Sequence, residues 1–418
     1  MNIIDELIWR GAVNQMTNEE GLRKLTEEKK IALYCGVDPT GDSMHIGHLI
    51  PFMMLKRFAL AGHHPVVLIG GGTGAIGDPS GRKSERQLQT MEKVRSNAEK
   101  LRKQFTHLFG DDVDILFVNN NDWLSKIDLL SFLRDYGKLF SVNVMLGKEV
   151  VASRLAEGIS FTEFSYQILQ SMDFEHLFSQ YDVQLQIGGA DQWGNITAGT
   201  DMIHKIHGSD APVYGLTIPL MLKADGTKFG KTAGGAVWLD PAKTSPFEFY
   251  QFWLNQDDAD VIKYLKYFTF LSREEIEALE QAITKEPEKR LAQKRLAEEV
   301  TTFVHSKDAL IEAQRITDAL FHGSISDLTE HELLQGFGHM PTVEVTAEPK
   351  DVVNWLVDAG ICNSKRQARE DVTNGAITIN GEKVTDLAAL VQPHKNSQGK
   401  FVVVRKGKKK YTLAKITK

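Results

Sequence analysis

The stretch YCGVDPTGDSMHIGHLIPFMMLKRFALAG, residues 34–62, decides the fold class of this chain. It completes an apolar run that begins at Ile31, crosses the turn-forming segment DPTGDSM and enters a long apolar helical pattern closed by Gly62. A buried strand, a tight turn and a helix, in that order, open a β–α–β unit and call for a parallel sheet. His45 and His48 stand at the mouth of the helix with Gly47 between them. Three readings compete for the pair: a metal site, two core histidines, or a wall for something anionic. A metal needs a third ligand, and Asp38 and Asp42 lie in the turn before the helix. Backbone N–H groups at a helix start have no internal partner and carry positive partial charge, which suits phosphate. Thr40, His45 and His48 add side-chain donors at the same place, and Gly47 lets a flat group approach the backbone.

The alternation continues outward from this stretch. IALYCGV, PVVLIGG, VDILFVNN, VQLQIGG and VYGLTIPLM read as buried strands, separated by helical patterns such as 46–61, 126–138, 161–180 and 191–207. Residues 1–244 are therefore expected to form an α/β domain with a Rossmann-like parallel sheet. Its ligands belong beyond the carboxyl ends of the strands. From 245 to 323 helical patterns follow one another without a strand, with Ser272 and Glu275 spaced as a capping box. Residues 324–350 read as a linker. Residues 351–418 read as a small α+β module of two helices and short strands.

At 418 residues the chain exceeds one core, and 42% apolar with 25% charged residues is ordinary for a globular protein. Cys35 and Cys362 are the two cysteines, so neither a disulfide framework nor a four-thiolate zinc site is expected. The start MNIIDELIWRGAVNQ is acidic and amphipathic, unlike a signal peptide, and no apolar run reaches membrane-spanning length. A cytoplasmic protein is expected. The net charge of −6 is unevenly placed: residues 352–418 hold thirteen Lys/Arg against five Asp/Glu, a net of +8, leaving −14 for the rest. A basic module on an acidic body suggests a phosphate-bearing partner at the C-terminal end.

Other loops carry chemistry too. KADGTKFGKT, residues 223–232, follows the last strand and brings Lys228, Lys231 and Thr232. It is one residue short of the phosphate-loop spacing, and GDPSGRKS places Arg82 where that motif needs lysine. The segment YQILQSMD spaces Tyr166, Gln170 and Asp173 at i, i+4 and i+7, one polar face on a helix. QIGGADQWGNI sets Gly189, Asp191 and Gln192 at a strand–helix junction, and GGGTGAIGDPSGRKSERQ contributes Thr73 and Asp78.

His-Ile-Gly-His resembles the HIGH element of class I aminoacyl-tRNA synthetases and related nucleotidyltransferases, and KFGKT resembles their KMSKS loop, departing from it at Phe229, Gly230 and Thr232. Together with Tyr34, YQILQSMD, GADQWGN and GDPSGRKSER, these motifs are similar to those of the bacterial tyrosine–tRNA ligases over nearly the whole chain. The resemblance implies ATP-dependent attachment of L-tyrosine to tRNA(Tyr). In it Tyr34 and Asp173 meet the phenol hydroxyl, Asp78, Tyr166 and Gln170 hold the ammonium group, and Gln192 lies against the substrate. Cys35, Gly36, Asp38, Thr40, His45, Gly47, His48, Gly189 and Asp191 surround ATP. Lys228, Lys231, Arg82 and Arg86 close over the pyrophosphate. Family members vary at Pro51 and Arg82, which should tune affinity rather than chemistry. The C-terminal SKRQAREDVTNGAITINGEKV, with Asn380-Gly381, resembles a small RNA-binding domain first known from a ribosomal protein. Lys365, Arg366, Arg369, Arg405, Lys406, Lys408, Lys409 and Lys410 are its candidate RNA contacts. Mg²⁺ is expected with ATP, zinc is not, and the resemblance implies a homodimer. The rival readings are the related tryptophan enzyme or a small nucleotidyltransferase, and a non-catalytic RNA-binding protein that kept the fold.

Overall fold

The computed structural model describes residues 2–81, 87–227, 229–232, 235–322, 325–338, 340–407 and 410–417, and for Lys231, Thr232 and His322 the backbone alone. Arg82, Arg86, Lys228, Lys408 and Lys409 therefore lie outside the described residues, as does the side chain of Lys231.

The chain divides into two compact units, residues 1–240 with 256–296, and residues 241–255 with 297–418. The first is built on a six-stranded sheet ordered β1 (Gln15–Met16), β6 (Tyr214–Ile218), β5 (Val183–Gly189), β2 (Ala32–Val37), β3 (His64–Ile69) and β4 (Leu116–Asn119). Every pair is parallel except β1 with β6. β2 and β3 are largely apolar, as a parallel sheet covered on both faces requires, while β5 buries Gln184 and Gln186 between its apolar residues. Strand order runs from β2 through β3 to β4 toward one edge and through β5 and β6 toward the other. The reversal between β2 and β5 opens a crevice at their carboxyl ends.

The helix Ile46–Leu60 buries ten of its fifteen residues, which explains why its sequence is apolar all round. Two of the buried residues are cations, and each caps another helix. Lys56 Nζ donates to the carbonyls of Leu108 and Phe109 at 3.2 and 2.8 Å, at the end of helix Met91–Phe109. Arg57 donates to the carbonyls of Lys266, Tyr267 and Thr269, at the end of helix Asp258–Phe268. A helix C-terminus presents unpaired carbonyls and negative partial charge, so a desolvated cation is stabilised there.

The helical stretch 245–323 is shared between the units. Helices Asp258–Phe268 and Arg273–Lys285 belong to the first, while Pro246–Leu254 and Lys307–His322 belong to the second. The Ser272–Glu275 capping box forms as expected. The helix expected over 126–138 is broken into a turn at Leu129–Ser131, a π turn at Phe132–Tyr136 and a 3₁₀ turn at Gly137–Leu139. Leu129, Leu130 and Leu133 remain exposed there, while Ile127, Phe132, Tyr136 and Leu139 pack against the cluster of Met145, Ile168, Met172 and Met202.

The second unit carries a five-stranded sheet ordered β11 (Glu382–Lys383), β10 (Ile377–Ile379), β12 (Phe401–Lys406), β13 (Lys410–Thr417) and β9 (Thr342–Thr346). Helices Val352–Asp358 and Lys365–Thr373 pack on it around Trp355, Leu356, Ala368, Ile377 and Val402. The expectation of a linker over 324–350 gives way here, because that stretch holds the capped helix Glu330–Phe337 and strand β9, which pairs in parallel with β13. β9 is an edge strand with Val345 its one buried residue, so TVEVT shows little apolar signal in sequence. Among the described residues no helix is long and apolar enough to cross a membrane.

Candidate active site

A cavity opens at the crevice that the strand order predicts. The end of β2 lines it with Tyr34, Cys35, Gly36 and Val37, followed by Asp38 and Thr40, and β5 lines it with Gln186, Ile187, Gly188 and Gly189. His48, Asp78, Tyr166, Gln170, Asp173, Asp191 and Gln192 line it too, with Pro51, Leu68, Thr73 and Ser80. Tyr34, Cys35, Gly36, Asp38, Thr40, His48, Asp78, Tyr166, Gln170, Asp173, Gly189, Asp191 and Gln192, singled out by the sequence in four separate segments, thus line one cavity, whereas His45 and Gly47 do not line it.

The two histidines cap their own helix. His45 is the N-cap residue, and its Nδ1 accepts from Gly47 N at 3.0 Å. His48 Nδ1 accepts from His45 N at 3.3 Å, and the ring centroids lie 3.9 Å apart. An accepting Nδ1 leaves Nε2 as the ring nitrogen that donates, so both imidazoles offer a donor through that atom. The need for glycine is also clear: a Cβ at position 47 would lie 2.9 Å from His45 Cε1. The flat group close to this backbone is the ring of His45 itself.

The KFGKT segment is fastened beside this helix start. Phe229 packs on Tyr264 and Phe268, with ring centroids 4.7 and 5.3 Å away. Gly230 has φ +86°, and a Cβ there would meet Ile46 Cγ1 at 3.2 Å. The hairpin β7 (Lys231–Thr232) and β8 (Gly235–Ala236) follows. Beyond it Ile46 N donates to Val237 O at 3.0 Å and Leu239 N to Met44 O at 2.9 Å. The loop's flanks are thus bonded to the strand-like entry of the HIGH helix.

One hydrogen-bond chain runs the length of the pocket. Trp123 Nε1 donates to Asp173 Oδ1 at 2.8 Å and Asn120 Nδ2 to Asp173 Oδ2 at 2.9 Å. Asn120 Nδ2 also donates to Thr73 Oγ1 at 2.8 Å, and Thr73 donates to Asp38 Oδ1 at 2.7 Å. Tyr166 donates its phenol proton to Asp38 Oδ2 at 2.8 Å. A second cluster joins Gln192 Nε2 to Asp78 Oδ2 at 2.7 Å and Gln170 Nε2 to Gln192 Oε1 at 3.2 Å. Carboxylates held this way are fixed in direction and can receive a cation or a hydroxyl without reorganising.

Burial sets the protonation of these groups. It pushes the Asp173 carboxyl up to about 8 against the pull of its two N–H donors. Burial, and then Asp173, hold the Tyr34 phenol well above its ordinary value. Burial and Asp38 do the same for Tyr166, and burial followed by Asp78 raises Asp191. The Cys35 thiol is pushed up to about 12 by burial, so it stays protonated and does not act as a nucleophile. Among the described residues the site contains no activated nucleophile; it contains fixed donors and acceptors around a cavity.

The sequence reading missed Asn120, Trp123 and Gln186. Gln186 had a signal, being polar at a position where the buried strand VQLQIGG alternates. Asn120 follows the strand end FVN, where α/β sites gather. Trp123 gave none, since a tryptophan after a strand is more often core.

In the basic module, Lys365, Arg366 and Arg369 are exposed on one helix, and Lys410 is exposed on β13, register partner of Lys406. Lys406 is not a free cation: its Nζ lies 2.8 Å from Asp371. Arg405 Nη2 donates to Thr378 Oγ1 at 3.2 Å and its guanidinium lies over Tyr411.

Comparison with known proteins gives the setting. The model of the family described as "tRNA synthetases class I (W and Y)" matches residues 26–322, and that of a "Tyrosine--tRNA ligase SYY-like C-terminal domain" matches residues 332–414. The chain is 71% identical over 416 residues to the tyrosine–tRNA ligase of Ligilactobacillus salivarius, covering 100% of both chains. It is 70% identical over 416 residues to tyrosine–tRNA ligase 1 of Enterococcus faecalis, again covering 100% of both. Among solved structures, a C-terminally truncated mitochondrial tyrosyl-tRNA synthetase of Aspergillus nidulans matches with a TM-score of 0.70 and 32% identity, over 77% of this chain and 94% of that one.

Proposed function

From the premise that this chain belongs to the class I tRNA synthetases of the tryptophan and tyrosine group, we infer that it attaches L-tyrosine to tRNA(Tyr) at the expense of ATP. The reaction has two steps. The tyrosine carboxylate attacks the α-phosphorus of ATP, and pyrophosphate leaves as the tyrosyl-adenylate forms. A hydroxyl of the terminal adenosine of the tRNA then attacks the adenylate carbonyl, and AMP leaves. The first nucleophile is already ionised at neutral pH, so positioning and charge stabilisation carry the chemistry.

One observation carries the choice of amino acid. Within the cavity the buried Tyr34 hydroxyl has no partner among the described residues, and the Asp173 carboxyl lines the same cavity, fixed by Asn120 and Trp123. In our reading these two meet the substrate hydroxyl, with Asp78, Tyr166 and Gln170 at its ammonium group and Gln192 alongside. ATP then lies along Cys35, Gly36, Asp38, Thr40, Gly189 and Asp191, with the Nε2 protons of His45 and His48 toward its phosphates. Lys228, Lys231, Arg82 and Arg86 are assigned to the pyrophosphate by their motifs, and Mg²⁺ is taken as part of the nucleotide substrate.

Residues 1–244 are read as the catalytic domain, the helical stretch to 323 as the anticodon side and the basic C-terminal module as the RNA-binding part. There Lys365, Arg366, Arg369 and Lys410 supply phosphate contacts. A homodimer is supported by the apolar surface of Leu129, Leu130, Leu133, Val142, Val144 and Phe161, each more than half exposed. This reading puts the reaction in the cytoplasm. Exchange of pyrophosphate into ATP, run with each of the twenty amino acids, tests it. Tyrosine alone should support exchange, and exchange with tryptophan in its place would overturn the assignment.

A further inference from the structure

The carboxylate that selects the substrate hydroxyl is itself held by an indole, and the indole by a histidine. Trp123 Nε1 donates to Asp173 Oδ1 at 2.8 Å. The Trp123 ring lies stacked on His176, with centroids 4.3 Å apart and planes 18° from parallel. Asp173 and His176 stand three residues apart on helix Phe161–Tyr181, on adjacent positions of one face. That face therefore grips the indole twice, by its N–H edge and by its π-face. Trp123 sits in a single turn, Asn121–Leu124, with no buried residue of its own. One turn gives little intrinsic order. Partial burial lowers the His176 pKa, so the ring facing the indole at neutral pH is uncharged.

We propose that His176 is a positioning residue for tyrosine recognition: stacked on Trp123, it keeps the indole N–H aimed at Asp173 and so keeps that carboxylate aimed into the pocket. It touches neither substrate nor the reacting atoms. The inference rests on the cavity being the tyrosine pocket. Trp123 also packs against the apolar cluster that includes Val118 and Phe174; without the stack that cluster alone holds the ring, and the aim of its N–H at Asp173 loosens. The effect belongs to tyrosine binding and to discrimination against phenylalanine. It does not belong to ATP binding or to the rate of adenylate formation at saturation.

The test is pyrophosphate exchange with the full-length wild type and with His176→Ala, His176→Leu and His176→Phe. Alanine and leucine should raise KM for tyrosine roughly three- to tenfold, the effect of losing one ordered hydrogen bond. They should lower the tyrosine-to-phenylalanine ratio of kcat/KM and leave kcat and the KM for ATP unchanged. Phenylalanine keeps a flat ring and should restore the wild-type KM. Leucine keeps the apolar volume, so it reports even if alanine fails to fold. In a Trp123→Phe background, His176→Leu should add nothing further, because the two residues act through one bond. An unchanged tyrosine KM in His176→Leu, full additivity in that cycle, or no rescue by phenylalanine would each overturn the inference. Wild type that fails to activate tyrosine would instead overturn the reading of the pocket.

Discussion

Tyr34 on β2 and Gln186 on β5 are register partners at the junction where the strand order reverses, and each keeps a buried polar atom without a partner among the described residues. The atoms are the phenol oxygen of Tyr34 and the amide Oε1 of Gln186. An unsatisfied buried polar group costs about 1–3 kcal/mol, so two side by side in a cavity mark where a ligand's polar group belongs. Gln186→Leu is expected to weaken tyrosine binding by about 0.5–1.5 kcal/mol, a few-fold to roughly tenfold in KM. Tyr34→Phe should lower the tyrosine-to-phenylalanine ratio of kcat/KM. Steady-state kinetics with both amino acids checks the pair, and an undiminished ratio in Tyr34→Phe would contradict the pocket assignment.

The elevated Asp173 carboxyl predicts a pH dependence. Its ionised form is the one that accepts a phenol proton, and burial places its titration at about 8. The kcat/KM for tyrosine, which reports the free enzyme, should therefore rise as pH increases through that value. Asn120 donates to this carboxylate and favours its charged form. Asn120→Ala should move the midpoint upward, as a pH profile of both proteins would show.

Gly230 couples the lysine loop to the HIGH helix. Its φ of +86° and its closeness to Ile46 leave no relaxed place for a side chain. Gly230→Ala should slow adenylate formation while tyrosine affinity stays near wild type; the backbone strain alone is worth about 1–3 kcal/mol. Lys231→Ala should raise the barrier by roughly 3–4 kcal/mol, the loss typical of one donor to developing charge. Single-turnover measurement of the adenylate separates these effects from binding.

His63 predicts a loss of stability in mild acid. It is buried, and its Nδ1 accepts the Ile31 N–H at 3.1 Å. Burial, with Lys30 next in effect, lowers its pKa from 6.5 to about 4. A protonated ring would turn an N–H toward the Ile31 N–H. The unfolded chain binds this proton more readily, so stability is complete above about 6.5 and is lost as pH falls toward 4. Denaturant midpoints at pH 7 and pH 5 should differ more for wild type than for His63→Gln, whose amide oxygen can still accept from Ile31.

The basic module should be separable from amino-acid activation. Strand β9 pairs with β13, so a cut must fall before Thr342 to avoid leaving an unpaired strand. Removal of residues 341–418 is expected to leave pyrophosphate exchange intact and to abolish tRNA charging at physiological salt, because most phosphate contacts are lost. Full charging by the shortened chain would refute that division of labour.

The sequence by itself determined the parallel sheet, the positions of β2 and β5 and the helix start that His45 and His48 cap. These are local signals: an apolar run of strand length, a turn cluster and a helix start are written in consecutive residues. It also marked Tyr166, Gln170 and Asp173, because polar residues at helical spacing are conspicuous in an apolar helix. The tertiary structure alone decided that β2 and β5 lie side by side, although about 150 residues of chain separate them. It made Gln186 the neighbour of Tyr34, put Trp123 on Asp173 and turned the stretch 324–350 into a helix and an edge strand. It also assigned Lys406 to Asp371, where composition suggested only a cation for RNA. Each of these is a contact between segments distant in the chain, and hydrophobic periodicity, which specifies faces, does not specify partners.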